Sequence, residues 1–334
     1  MIEFRKLILF MKKIACLFVL VFVLGSCKQK ELSLQESVGE INQITVIIED
    51  NLWNGEVGDS IRKKLTTTVK GLPQEEPLFN LLQHTDRNGD DHFCQNRNIF
   101  IVEKSLDNYF EVRSNDFALN QSVIYLSGKT IPDILQLFEQ KADSIIKTVK
   151  QFEITESQKR IAESALDTKK IQQTFDVDLN IPISFELVAE DKKFFWYKKE
   201  TQNGSSSLLV YEIPYFEYAT QIENLNRIIQ VRDSIGACFI QSQEDKREGV
   251  MVTEKAYTPY FDTISLAGKK SFQTNGTWEL NGVFMSGPFI NYTVLDKENN
   301  RVIVLEGFAY APSSSKRNTM HELEAIIKSV KFNR

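Results

Sequence analysis

"IIKTVK" at residues 145–150 closes an apolar run, and it returns almost unchanged as "IIKSVK" at 326–331. The reading of that pair decides the fold class. Upstream of the first copy, Ile134, Leu135, Phe138, Ala142, Ile145, Ile146 and Val149 fall at helical spacing from about Ile131, with Pro132 suited to a first turn. The second copy ends "NTMHELEAIIKSVKF" (318–332), a C-terminal amphipathic helix running into a short strand or coil. Two further landmarks recur in the same order. Asp59-Ser60-Ile61 matches Asp233-Ser234-Ile235, and Val123-Ile124-x-Leu126-x-Gly128 matches Val302-Ile303-x-Leu305-x-Gly307. The landmarks are 64 and 22 residues apart in the first half and 69 and 24 in the second. Collinearity at near-equal spacing predicts an α+β fold of two related, duplicated units, each an antiparallel sheet with helices packed on it. Two unrelated halves of similar composition would share part of this pattern.

Working outward, "ITVIIED" (44–50), "NIFIVEK" (98–104) and "SVIYLSG" (122–128) read as strands, and "VGDSIRKKLTTTV" (57–69) as an amphipathic helix. Gly55 and Gly58 read as turn residues before that helix, with Asp59 or Ser60 as its cap. In the second half "ISFELVAE" (183–190), "KFFWYKKE" (193–200) and "LLVYEIPY" (208–215) are strands rich in aromatic and β-branched residues. "NLNRIIQVRDSIGACFI" (224–240) is helical, and "FINYTVLDKENNRVIVLEGFAYAP" (289–312) is a hairpin turned at Asp296–Asn300. Residues 151–180 are polar, lack glycine and carry a Thr155-x-x-Gln158 capping pattern, so they read as a helical connector. The expected layout is a first unit at 41–150, the connector at 151–180 and a second unit at 181–334.

The N-terminus carries its own signal. Lys12 and Lys13 precede eleven apolar residues, Ile14 to Leu24, followed at once by Leu24-Gly25-Ser26-Cys27. Eleven residues are too few to span a bilayer but suit a secretory signal. Leu24, Gly25 and Ser26 before Cys27 form a lipobox, whose cysteine thiol takes the diacylglyceryl group. Residues 1–26 are thus expected to be a lipoprotein signal peptide, with 27–40 a polar tether. Met11-Lys12-Lys13 is a normal start for such a signal, which leaves Met1 and Met11 both open as the initiator. Cleavage would remove Arg5, Lys6, Lys12, Lys13 and Glu3, taking 40 basic and 45 acidic residues to 36 and 44. A net charge of −8 argues against nucleic acid as partner and leaves membrane attachment to the acyl chains. Lys28-Gln29-Lys30-Glu31 holds a single acid, a poor surface-export tag, so the outer membrane facing the periplasm is preferred over the surface or the inner membrane. Cys94 and Cys238 remain, either as a disulfide in an oxidising compartment or as free thiols with Cys238 buried on a helix face.

With the lipobox, "LWNGEVGDSIR" (52–62), "GLPQEEPLF" (71–79), "NRNIF" (96–100), "WELNGVFMSGPF" (278–289) and "EGFAYAP" (306–312), the chain resembles an uncharacterised family of Bacteroidota lipoproteins known by a domain-of-unknown-function label. That resemblance covers nearly the whole mature chain. It implies a cell-envelope lipoprotein and brings no established activity or site residues. "LEAIIKSVKF" (323–332) after a hairpin also resembles the end of PsbP-like α/β/α sandwiches.

Chemistry-bearing motifs are sparse. "DRNGDDHF" (86–93) spaces Asp86, Asn88 and Asp90 as a calcium loop would, but Asp91 and Arg97 stand where Gly and the bidentate Glu belong. His84 and His92 flank it without a strong third ligand for zinc. His321-Glu322-Leu323-Glu324 begins a zincin helix, but residue 325 is Ala. "NGEVGDS" (54–60) lacks the Lys of a phosphate loop and sets Glu56 and Asp59 where phosphate would sit. No metal and no cofactor are expected. The function expected is a non-catalytic binding or assembly module of the cell envelope. Its partner would be another envelope protein, with a small hydrophobic ligand or glycan behind it. The alternative is a hydrolase of envelope glycans or peptides using an Asp/Glu pair. Tyr257, Tyr260, Phe261 and Trp278, with Phe284 and Phe289, form the candidate contact surface at 257–289, unless a hairpin there packs its own aromatics inside.

Overall fold

The computed structural model describes residues 34–85, 93–215, 224–242 and 249–333. Strands β1 (Gln43–Ile48), β2 (Asn80–His84), β3 (Asn98–Lys104), β4 (Tyr109–Ser114) and β5 (Ser122–Gly128) form a sheet of order β2-β1-β3-β5-β4. All neighbours in it are parallel except the β4–β5 edge pair. This corrects the antiparallel sheet expected for the first unit. The physical reason lies in the strands themselves: Ile44 to Ile48, Asn98 to Val102 and most of β5 are buried on both faces. Such continuous apolar runs belong to parallel strands covered on each side and linked by helical crossovers. Helices α1 (Asp50–Trp53) and α2 (Glu56–Leu65) make the crossover from β1. Gly55 is the N-cap residue of α2, so Gly58, Asp59 and Ser60 lie inside the helix, and the cap expected at 59 or 60 is corrected.

The second unit is a nine-stranded antiparallel sheet. It contains β7 (Glu186–Asp191), β8 (Phe194–Thr201), β9 (Gly204–Pro214), β10 (Gln241–Ser242), β11 (Gly249–Thr253), β12 (Tyr260–Leu266), β13 (Lys269–Asn281), β14 (Ser286–Asp296) and β15 (Arg301–Tyr310). Their order is β10-β11-β13-β14-β15-β9-β8-β7, with β12 sharing the long β13 alongside β11. A two-stranded ribbon, β6 (Val177–Asp178) with β16 (Lys331–Phe332), lies apart from it. The β14–β15 hairpin turns at Lys297–Asn299, with Asn300 in the left-handed region. Helix α5 (Leu225–Phe239) covers one face over Leu209, Tyr211, Phe272 and Phe308. Helices α4 (Lys169–Phe175) and α6 (Arg317–Lys328) cover the other over Val210, Tyr292 and Leu305.

The duplication is therefore overturned. β5 runs between a parallel and an antiparallel neighbour, whereas β15 runs between two antiparallel ones. The recurring landmarks do lie on equivalent kinds of element, helix, strand and helix. Buried strands and amphipathic helices draw on the same Val, Ile, Lys and Ser, and that local likeness carries no information on strand direction.

Helix α3 (Ile131–Glu163) spans both units, about 50 Å at 1.5 Å per residue. Thr130 and Asp133 close a capping box at its start. Ile134 to Val149 pack in the first core, while Ile154 and Ile161 belong to the second. The boundary expected at 150 thus falls inside one helix. Thr155 caps nothing: its hydroxyl donates to Gln151 O at 2.9 Å in mid-helix. At the same junction Glu153 and Arg97 form a buried pair at 2.8 Å, each side chain 1 % exposed. Glu153 also accepts from Asn42 N at 3.2 Å, and Arg97 donates to Glu40 O at 2.9 Å, which pins the lead-in to β1.

A second joint is an arm, residues 66–79, that leaves the first unit as a narrow hairpin with Thr68 bridged to Pro77. Lys316, at the start of α6, makes no side-chain cap. Glu76 of the arm supplies it: its carboxylate accepts from Lys316 N at 2.7 Å, Arg317 N at 2.9 Å and the Ser315 hydroxyl. Burial pushes the Glu76 carboxyl up, but these hydrogen bonds outweigh it and hold the pKa below the usual value. Arg317 in turn donates to Pro77 O at 2.9 Å and Asn80 Oδ1 at 3.0 Å.

Candidate functional site

Between the two units these joints leave a cleft of about 830 Å³, the size of an ordinary small-ligand site. Each wall follows from a local periodicity. On α3, Asp143, Ile146, Lys147, Lys150, Gln151 and Ile154 form a single helical stripe facing the cleft. Arg317, Met320, His321, Glu324 and Lys328 do the same on α6. From the second sheet, Tyr260 and Asp262 of β12 and their register partners Asn275 and Gln273 of β13 form a third wall. The arm closes the fourth with Thr67 to Leu72. At Gly71, with φ of +83°, a Cβ would come within 3.0 Å of Asn275 Cβ, so glycine allows arm and sheet to meet.

Six basic side chains (Lys64, Lys70, Lys147, Lys150, Arg317 and Lys328) line this cleft against three carboxylates (Asp143, Asp262 and Glu324), in a chain whose overall charge is negative. Two of the lysines are paired: Lys64 with Glu139 at 3.1 Å and Lys328 with Glu324 at 2.6 Å. Among the described residues Lys70, Lys147 and Lys150 have no carboxylate within salt-bridge distance. Lys70 lies over the Tyr260 ring at 5.4 Å. Lys150 is exposed overall, yet burial among the cleft walls pushes its pKa down; Glu324 opposes the shift, while Lys328 and Lys70 add to it. Burial raises the Glu324 carboxyl, but Lys328 and the Tyr292 hydroxyl, which donates at 3.0 Å, reverse this and hold it low. His321 is buried against Ser157 Oγ at 2.9 Å, and desolvation lowers its pKa, which keeps the ring neutral at pH 7.

The sequence-derived contact residues scatter. Tyr257 is 71 % exposed and Phe284 fully so, whereas Tyr260, 49 % exposed, stands at the cleft rim. Phe261 is half-buried and stacks on Phe272 at 5.5 Å. Trp278 is core, not contact surface: it is 2 % exposed and its indole N–H donates to Ala309 O at 3.2 Å. Phe289 is buried as well. Leu24, Gly25, Ser26 and Cys27 lie outside the described residues, as do Asp86 to His92 of the calcium-like loop. Arg97 serves Glu153 instead. His84 lies against Phe93 with the two rings tilted by 30°, and no metal-binding cluster occurs among the described residues. Cys94 and Cys238 form no disulfide, and Cys238 is exposed, which corrects the buried thiol expected there. The lysines of the cleft were the missed residues. Lys147, Lys150 and Lys328 sit in the "IIKTVK" and "IIKSVK" stretches whose recurrence suggests duplication; the two helices that carry them pack together, and these lysines face the cleft.

Among curated proteins none matches the chain. Solved structures give partial likenesses at low identity. The Saccharomyces cerevisiae Ran-binding protein Mog1p has a TM-score of 0.30 and 10 % identity, over 47 % of this chain and 90 % of that one. LpqN, described as involved in cell envelope biogenesis of Mycobacterium tuberculosis, has a TM-score of 0.28 and 14 % identity, over 47 % and 83 %. Residues 37–162 match the family "Domain of unknown function (DUF8532)", and residues 164–329 match "Domain of unknown function (DUF4837)". The two halves thus match two different families, both of uncharacterised function, that meet at the end of α3.

Proposed function

We propose that this is a cell-envelope lipoprotein, anchored through acylated Cys27 in the outer membrane and facing the periplasm, whose body is a non-catalytic binding module with its ligand seat between the two units. The observation that carries the binding reading is the 830 Å³ cleft whose walls are tied together by the Glu76 cap and by α3. The anchor rests on Lys12, Lys13, the short apolar run and Leu24-Gly25-Ser26-Cys27. Among the described residues no helix is long and apolar enough to cross a membrane. The hydrolase alternative needs a cleft carboxyl with a raised pKa as general acid. Glu324 is held low instead, and Glu306, which burial raises, lies under α5 beside Arg232, outside the cleft.

The test is native mass spectrometry of the full chain extracted gently from its own membranes. A retained small molecule is expected, together with an N-terminal acylated Cys27. Gln151→Trp, which places a large ring in the cleft from an exposed helix position, should remove the bound mass while leaving the anchor. No bound mass in the wild type, or equal amounts in both proteins, would overturn the binding reading.

A further inference from the structure

We infer that the cleft is a site for a phosphorylated ligand, its phosphoryl group held by Lys70, Lys147 and Lys150 and its polar body set against Tyr260, Gln273 and Asn275. This rests on the cleft being the ligand seat and names what it takes.

Three ammonium groups with no carboxylate partner among the described residues line a single cavity from two of its walls, the arm and α3. Elsewhere on this chain lysines are commonly paired, as in Lys193–Glu212 and Lys199–Glu322. Like charges held together in a partly dehydrated cleft repel, and that repulsion is relieved when an anion enters. Besides burial, Lys328 and Lys70 both push the Lys150 pKa down, the direction expected of repulsion between neighbouring ammonium groups. The lining carries three more basic groups than carboxylates. A phosphomonoester, with a charge of about −1.5 to −2 at pH 7, offsets that excess better than a single carboxylate. Lysine suits this role as a flexible point charge for phosphate. The guanidinium of Arg317, by contrast, is spent on Pro77 and Asn80. The remaining surface fits a polar body: an exposed aromatic ring beside two side-chain amides, Gln273 donating to Asn275 at 3.0 Å.

Phosphate esters come as water-soluble metabolites or as lipid headgroups, and calorimetry on the full lipidated chain in neutral detergent separates the two. Glucose 1-phosphate and dihexanoyl phosphatidic acid, both phosphomonoesters and the lipid kept below its micelle concentration, are the two phosphorylated probes. Glucose and dihexanoylglycerol, the same bodies without the phosphoryl group, are their controls. One phosphorylated probe should bind at one equivalent, more weakly as salt rises, and its control should not. Lys150→Met and Lys147→Gln should each weaken binding by at least about tenfold, the loss of one charge-assisted contact. Lys192→Met, on an exposed turn away from the cleft, should leave it unchanged. Both lysines are exposed, and Lys147→Gln keeps the test open if Lys150→Met fails to fold. Binding of neither phosphorylated probe, or binding indifferent to both lysine variants, would overturn the inference. If glucose binds as well as its phosphate and Gln151→Trp blocks both, the cleft reading survives and the phosphoryl assignment falls.

Discussion

Replacing Glu76 with alanine strips α6 of a cap supplied from the other unit. The carboxylate accepts two backbone N–H groups and one hydroxyl at the helix start, where Lys316 offers nothing of its own. An N-cap is worth about 1 kcal/mol. A negative charge against the helix dipole adds about 0.5 kcal/mol at a half-buried position. Glu76→Ala should therefore cost about 1.5 kcal/mol, read as a lower urea midpoint at unchanged slope and a melting temperature lower by about 3 °C. Glu76→Gln keeps an acceptor and should lose about a third of that. The sign of the pH dependence is fixed as well. A carboxyl held below its unfolded pKa of about 4.5 contributes in full above that value and loses its contribution as pH falls through the folded pKa. The gap between wild type and Glu76→Ala should then be full at pH 7 and shrink below pH 4.5. A variant within 0.3 kcal/mol of wild type at pH 7, or a gap that widens on acidification, would refute the capping joint.

Glu153→Ala leaves the Arg97 guanidinium buried without its partner and should cost about 3–5 kcal/mol in urea unfolding, whereas Asp59→Ala, which breaks an exposed pair with Arg62, should cost under about 1 kcal/mol. Gly71→Ala forces a side chain into the left-handed region against Asn275 and should destabilise by about 1–3 kcal/mol while weakening any cleft ligand. Trp278→Ala should cost about 3–5 kcal/mol as a core truncation, while Phe284→Ser, at a fully exposed position, should shift stability by no more than about 0.5 kcal/mol.

Much of the fold was legible wherever a segment settles its own structure. "NIFIVEK" and "SVIYLSG" coincide with β3 and β5 at both ends, and the turn at 296–300 is where Asn and Asp put it. What failed was pairing, which is not local. The sequence signal of the parallel sheet is the near-continuous apolar runs of β1, β3 and β5, whereas the recurring landmarks say nothing about strand direction. β13 was hidden because "QTNGTW" interrupts its apolar pattern with polar residues and glycine, though it is the strand that β11, β12 and β14 all share. The site was least legible of all. Its walls come from residues 42 to 328, so no spacing along the chain announces it. The arm's Glu76 lies within "GLPQEEPLF", a stretch with no chemical signature of its own, and of the aromatics of the 257–289 contact surface only Tyr260 and the buried Phe289 line the cleft.

The most direct test of the central claim is a crystal structure of the chain grown with saturating glucose 1-phosphate or dihexanoyl phosphatidic acid, whichever binds. The account predicts the phosphoryl group between α3 and the arm, within hydrogen-bond reach of Lys150 and at least one of Lys70 and Lys147, with the body beside Tyr260. A ligand seated elsewhere on the molecule, with the cleft between the two units empty, would contradict it.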